Sequence, residues 1–129
     1  MRCRLYLSRV RALVVLLALG APVLARDVQT ISPSEAASHV GKEVVVEGVI
    51  SDVGYSSRSD TTFLNMGGRY PFNTFTAVIF KSAKPLFPQA KSWEGKKVTI
   101  RGVVKQYRGK PEIVLERAEP VEVVKLDQS

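Results

Sequence analysis

Residues 61–80 leave the chain few folds to choose from. Thr62, Leu64 and Met66 alternate with Thr61, Phe63 and Asn65. After a Gly/Pro/Asn connection, Thr76, Val78 and Phe80 alternate with Phe75, Ala77 and Ile79. Side chains two apart on a strand share a face, so the spacing predicts two strands of one sheet. With Leu64, Met66, Val78 and Phe80 turned inward, Phe63, Asn65 and Phe75 are expected on the outer face. Two aromatics and an amide there would form a stacking platform.

The N-terminal charge has its own explanation. Arg2, Arg4, Arg9 and Arg11 precede a wholly apolar run at residues 12–19, then Gly20-Ala21-Pro22 and Val23-Leu24-Ala25. A basic start, a short apolar run and a small-x-Ala end predict a secretory signal peptide over residues 1–25. The alternative is an uncleaved membrane anchor, for which the run is short. The single Cys, Cys3, falls inside this leader, so an exported chain of residues 26–129 would hold no disulfide and no thiolate. Cleavage removes four of the 19 Lys and Arg and none of the 12 Asp and Glu, so the formal charge drops from +7 to about +3. Such a surface permits an anionic partner without demanding one. The location expected is periplasmic or secreted, with no membrane association after cleavage.

The rest reads as one small domain. Residues 26–30 are expected to be a loose N-terminus. Ser32-Pro33 with Glu35 is a helix start with a capping box, and Gly41 ends a helix of about two turns. Residues 42–53 read as a long first strand, with Val44, Val46 and Ile50 in one phase and Gly48 marking a bend. Residues 54–60 read as a polar loop. Pro85 and Pro88 exclude a long helix after the central pair, leaving Leu86, Phe87 and Trp93 to plug one barrel end. A fourth strand is predicted over residues 96–107, with Val98, Ile100 and Val104 inward and Gly102 at a bend. A tight Arg108–Pro111 connection leads to a fifth over residues 112–117, with Ile113 and Leu115 inward. Val121-Glu122-Val123 adds a short edge strand. The fold class predicted is all-β: a five-stranded OB-fold barrel with a short N-terminal helix and a core over about residues 42–117. The alternative is another small β-barrel, such as an SH3-like one.

Residues 32–117 resemble the small bacterial OB-fold proteins of the nucleic-acid-binding, tRNA-anticodon-like superfamily. The resemblance rests on Val46-Glu47-Gly48-Val49-Ile50, Thr62-Phe63-Leu64-Asn65-Met66-Gly67, Phe75-Thr76-Ala77-Val78-Ile79-Phe80, Gly102-Val103-Val104 and Tyr107-Arg108-Gly109-Lys110-Pro111-Glu112-Ile113. It implies a binding face across the first three strands, with Phe63 at the position that stacks on a base. Anticodon-binding members also use an Arg late in the first strand and a polar side chain on the third. Here those stretches read Ser51-Asp52-Val53 and Thr76-Ala77, which supply no Arg and, at Ala77, no hydrogen-bonding side chain. The resemblance therefore implies sequence-tolerant binding of a single strand rather than anticodon recognition.

The candidate nucleic-acid contacts are Phe63, Asn65 and Phe75 on the face, Tyr55 and Arg58 in the loop after the first strand, and Tyr107, Arg108 and Lys110 in the loop after the fourth. An aromatic beside a cation in each loop suits a base stack plus a phosphate contact. Each has a plainer explanation: paired sheet aromatics for the Phe residues, solvated loop residues for the others. Arg69, Tyr70 and Phe72 share that composition, but Gly67-Gly68 and Pro71 read first as a turn. Lys96, Lys97, Arg101 and Lys105 read as a solvated strand face. Catalysis finds little support, because His39 is the only His and sits beside no evident partner. No metal site or cofactor is expected. The leading expectation is a non-enzymatic module for single-stranded nucleic acid or a similar polyanion. The alternatives are an envelope module for a protein or small ligand on the same barrel, and a degenerate nuclease-like enzyme, since the thermonuclease fold also builds on an OB-like barrel.

Overall fold

The computed structural model describes residues 27–124, so the expected leader at residues 1–25 lies outside the described residues. The described chain forms β1 (Gln29–Ile31), β2 (Glu43–Ser56), β3 (Thr61–Met66), β4 (Phe75–Ile79), β5 (Lys97–Val103), β6 (Lys105–Tyr107), β7 (Lys110–Val114) and β8 (Val121–Val123). Three short 3-10 helices, Pro33–His39, Lys81–Leu86 and Ala90–Trp93, complete it. Among the described residues no helix is long and apolar enough to cross a membrane.

The strand order is β6-β7-β4-β3-β2-β5-β8, with β1 parallel to β2 at its edge. This corrects the expected closed five-stranded barrel to an open eight-stranded sheet, seven strands in one path and β1 beside it. The fourth strand is the reason. It divides at Val104, whose N–H donates to the Lys42 carbonyl and whose carbonyl accepts from the Gly41 N–H. Before that break β5 pairs with β2; after it β6 pairs with β7. Of the segment expected to be loose, Gln29 and Thr30 are not, because Gln29–Ile31 adds to β2.

β2 serves both halves. Glu43–Val49 pairs with β5, and Ile50–Ser56 pairs with β3. The register slips between Ile50 and Asp52, so Ser51 is an extra residue and the inward phase changes from even to odd numbers. The two strand glycines allow close approach. A Cβ at Gly48 would lie 2.7 Å from Pro33 Cγ, and one at Gly102 would lie 2.6 Å from Ile113 Cγ2. The first seats the N-terminal helix and the second lets β7 cross β5.

The N-terminal helix starts as predicted, with the Glu35 carboxylate accepting from the Ser32 N–H at 3.3 Å and the Ser32 hydroxyl at 2.9 Å. These bonds hold the Glu35 carboxyl below its ordinary pKa. His39 Nδ1 lies 2.9 Å from the Glu35 carbonyl.

Val44, Val46, Ile50, Leu64, Met66, Val98, Ile100, Val104, Ile113 and Leu115 are buried as predicted. The phase of β4 is the reverse of the expected one. Phe75, Ala77 and Ile79 fill the core, while Phe80 stands exposed. Phe87 and Trp93 do pack at one end, edge to face at 6.3 Å and 83°, but Leu86 is exposed and takes no part.

Candidate nucleic-acid interface

Register decides which side chains share the outer face. Gly54 pairs with Phe63, Phe63 with Val78, and Val78 with Val114. One step along, Asp52 pairs with Asn65, Asn65 with Thr76, Thr76 with Glu112, and Glu112 with Lys105. Leu64 and Ala77 of the intervening row are buried in the core, so these two rows face the other way. Tyr107 and Lys110 pair and continue the same phase. The outer face therefore brings together Phe63, Lys105, Tyr107 and Lys110. Phe63 is half-buried there, beside the bare backbone of Gly54.

Two predicted members of the platform are not available. Phe75 is wholly buried in the core. Asn65 faces outward but is buried beneath residues 67–74. Its amide donates to Asp52 at 3.2 Å, and its carbonyl oxygen accepts from Thr76 at 3.1 Å and from Asn73 at 3.3 Å. Asn73 also donates to Thr76 at 2.6 Å and to the Phe75 carbonyl at 3.2 Å. Asn65 is thus a support for the loop above it, not a ligand contact.

That loop is held from below by the β2 bulge. Ser51 Oγ accepts from the Gly68 N–H at 3.1 Å, and Asp52 from the Tyr70 N–H at 3.0 Å. The Thr74 N–H returns to the Met66 carbonyl at 3.1 Å. Beside exposed Arg69, this anchored loop displays two aromatic side chains in water: Tyr70 is 72% exposed and Phe72 85%. Lys110 donates to the Pro71 carbonyl and lies 5.9 Å from the centre of the Tyr70 ring. The β6–β7 hairpin thereby joins the loop.

Arg108 and Gly109 form the two-residue turn of that hairpin, with φ of 50° and 80°. Positive φ at both positions is what such a tight hairpin requires. Only Arg108 of the predicted trio lies in the turn itself; Tyr107 and Lys110 end and begin the flanking strands. The Arg108 guanidinium sits 5.2 Å from the Tyr107 ring, within cation–π range. Two carboxylates share this face: Asp52, which accepts from Asn65 and the Tyr70 N–H, and Glu112. Burial, the larger effect, pushes the Glu112 carboxyl pKa up, and nearby Lys105 opposes the shift.

The remaining predicted pair separates. Tyr55 lies on β2 rather than in a loop, and it pairs with Thr62 in the inward phase. It projects past the end of the core, donates to Asp60, and has the Lys84 ammonium 4.9 Å over its ring. Lys84 holds Asp60 at 2.6 Å. Hydrogen bonds from Lys84, then Tyr55, keep the Asp60 carboxyl below its usual range. Arg58 is exposed at the tip of the β2–β3 turn, residues 57–60. This turn and residues 67–74 stand at opposite ends of β3, with Phe63 between them. On the fourth-strand basic run, Lys97 is paired to Glu47 at 3.1 Å and Arg101 to Glu43 at 3.3 Å. Among the described residues, no group of three or more His, Cys, Asp or Glu could hold a metal ion.

Residues 69–72, which the sequence reading set aside as a turn, are the most exposed aromatic element of the molecule's described part. Its signal was present in Arg69-Tyr70-Pro71-Phe72. The glycines and proline that read as a turn are what fold the loop back over Asn65.

No family model matches the sequence, and no curated protein does. Solved structures match its fold. An OBody, AM1L10, bound to hen egg-white lysozyme is 19% identical with a TM-score of 0.57, over 80% of this chain and 100% of its own. Asparaginyl-tRNA synthetase from Pyrococcus horikoshii is 22% identical with a TM-score of 0.55, over 77% of this chain. Aspartyl-tRNA synthetase from Entamoeba histolytica is 17% identical with a TM-score of 0.55, over 86% of this chain. The chain spans 24% of the length of each synthetase. These likenesses show an OB-type fold.

Proposed function

We propose that this protein is a non-enzymatic OB-fold module, exported to the periplasm or beyond, that binds single-stranded nucleic acid or a similar polyanion with little sequence preference. The observation that carries the reading is the cluster at the Met66 end of β3. Two exposed aromatics, Tyr70 and Phe72, stand on a hydrogen-bonded loop beside Tyr107, Arg108 and Lys110. Water-exposed aromatic rings gain nothing for the fold, whereas bases of any identity stack on them. The adjoining cations suit phosphates, and Phe63 offers a further ring along the face. The synthetase likenesses support this reading, since the names of those proteins tie them to tRNA. In a salt series, oligonucleotide affinity is expected to fall with a modest slope, about 0.7 per phosphate contacted. Phe63→Ala should weaken binding by roughly 1–3 kcal/mol per base lost. Salt-independent binding would count against the proposal.

A second reading is a protein-binding envelope module on the same surface. The observation favouring it is that Tyr and Arg clusters also make protein hot spots, and that the OBody is a lysozyme-bound relative in fold. Saturable oligonucleotide binding that depends on Tyr70 and Phe72 separates the two. The enzyme reading would need hydrolysis of nucleic acid by the purified chain.

A further inference from the structure

A cleft of about 710 Å3 opens where the Lys81–Leu86 and Ala90–Trp93 helices pass the Thr61 end of β3. Phe87 and Pro88 supply apolar wall, and Tyr55, Lys81, Lys84 and Lys91 line the rest. Lys84 is committed to Asp60 at 2.6 Å, the only carboxylate lining the cleft. Among the described residues Lys81 and Lys91 form no ion pair, although Lys81 lies near enough to Asp60 to help hold its carboxyl down. The cleft meets the outer face at the β2–β3 hairpin. Gly54, beside Phe63, and Tyr55, in the cleft, are successive residues facing opposite sides, and exposed Arg58 stands at the turn between them.

We propose that a single strand held on the outer face continues past the Arg58 turn into this cleft, where Lys81 and Lys91 each take a phosphate. This rests on the nucleic-acid reading above and extends it to a second station. The six residues of β3 set the stations on the order of 20 Å apart. OB-folds hold roughly 4–16 nucleotides, so the shortest strands engage one station and longer ones both.

The test is fluorescence anisotropy with the full chain, using labelled oligothymidylates of about four and about twelve nucleotides across a salt series. The Lys81→Ala/Lys91→Ala variant should lower the salt slope for the longer strand by roughly 1.4, about 0.7 for each phosphate contact. The shorter strand should keep its slope. The charge-matched Lys42→Ala/Arg117→Ala variant, whose side chains line neither site, should leave both slopes unchanged. An unaltered slope for the longer strand in the first variant overturns the second station, as does an equal drop in the control. Failure of both strands to bind the unaltered protein overturns the outer-face reading, and this inference with it.

Discussion

Asn65 shows how one buried amide sets the shape of a surface. It bonds Asp52, Asn73 and Thr76 at once, and so ties β2, β3, β4 and the loop above them. Asn65→Ala leaves the Asp52, Asn73 and Thr76 groups short of partners. The expected loss is about 1–3 kcal/mol of unfolding free energy by urea titration, with weaker oligonucleotide binding because the Tyr70–Phe72 support is gone. In the sequence Asn65 read as an outward face residue, and its direction was right. Its burial was not legible, because the cover comes from residues 67–74 folding back, a non-local event. Phe75 failed for a different reason. Val78 is as buried as Phe75, Ala77 and Ile79, so Thr76 is the one polar mark on β4 and the alternation is too weak to choose a phase.

At the scale of elements, strand identities and most core positions were legible from period two, and the breaks were not. The Ser51 bulge reverses the phase of β2, so Tyr55, expected in a loop, lies on the strand and on its inward side. Val104 divides the fourth strand because the Gly41 and Lys42 backbone captures both its polar groups. The interior glycines Gly48 and Gly102, read as bends, are instead points of close approach, while the irregularities fall at Ser51 and Val104. Gly102→Ala would push a methyl to 2.6 Å from Ile113 Cγ2. A shift of β7 or an off-rotamer Ile113 should cost about 1–3 kcal/mol. An unchanged urea midpoint would show that β7 gives way freely.

For the whole molecule, charge and protonation govern how the face meets an anion. Partial burial on that face pushes the Glu112 carboxyl pKa up from its ordinary value, with Lys105 opposing. A carboxyl with a raised folded pKa contributes stability that is present below its unfolded pKa and is lost as pH rises through the folded value. Glu112→Gln should therefore be more stable than the unaltered protein at neutral pH, with the difference closing near pH 4. The same substitution removes a negative charge from the proposed interface, so oligonucleotide affinity at neutral pH should rise. A thermal-melt series and a binding isotherm at matched pH values check both signs.

The most direct test of the outer face as the interface is an amide chemical-shift map of the isotope-labelled protein, titrated with a mixed-sequence single-stranded oligonucleotide. The largest shifts should fall on residues 67–74, on Phe63 and its strand neighbours, and on residues 105–112. Saturation that leaves those residues unmoved, or shifts confined to β8 and the Pro33–His39 helix, would contradict the outer face as the interface.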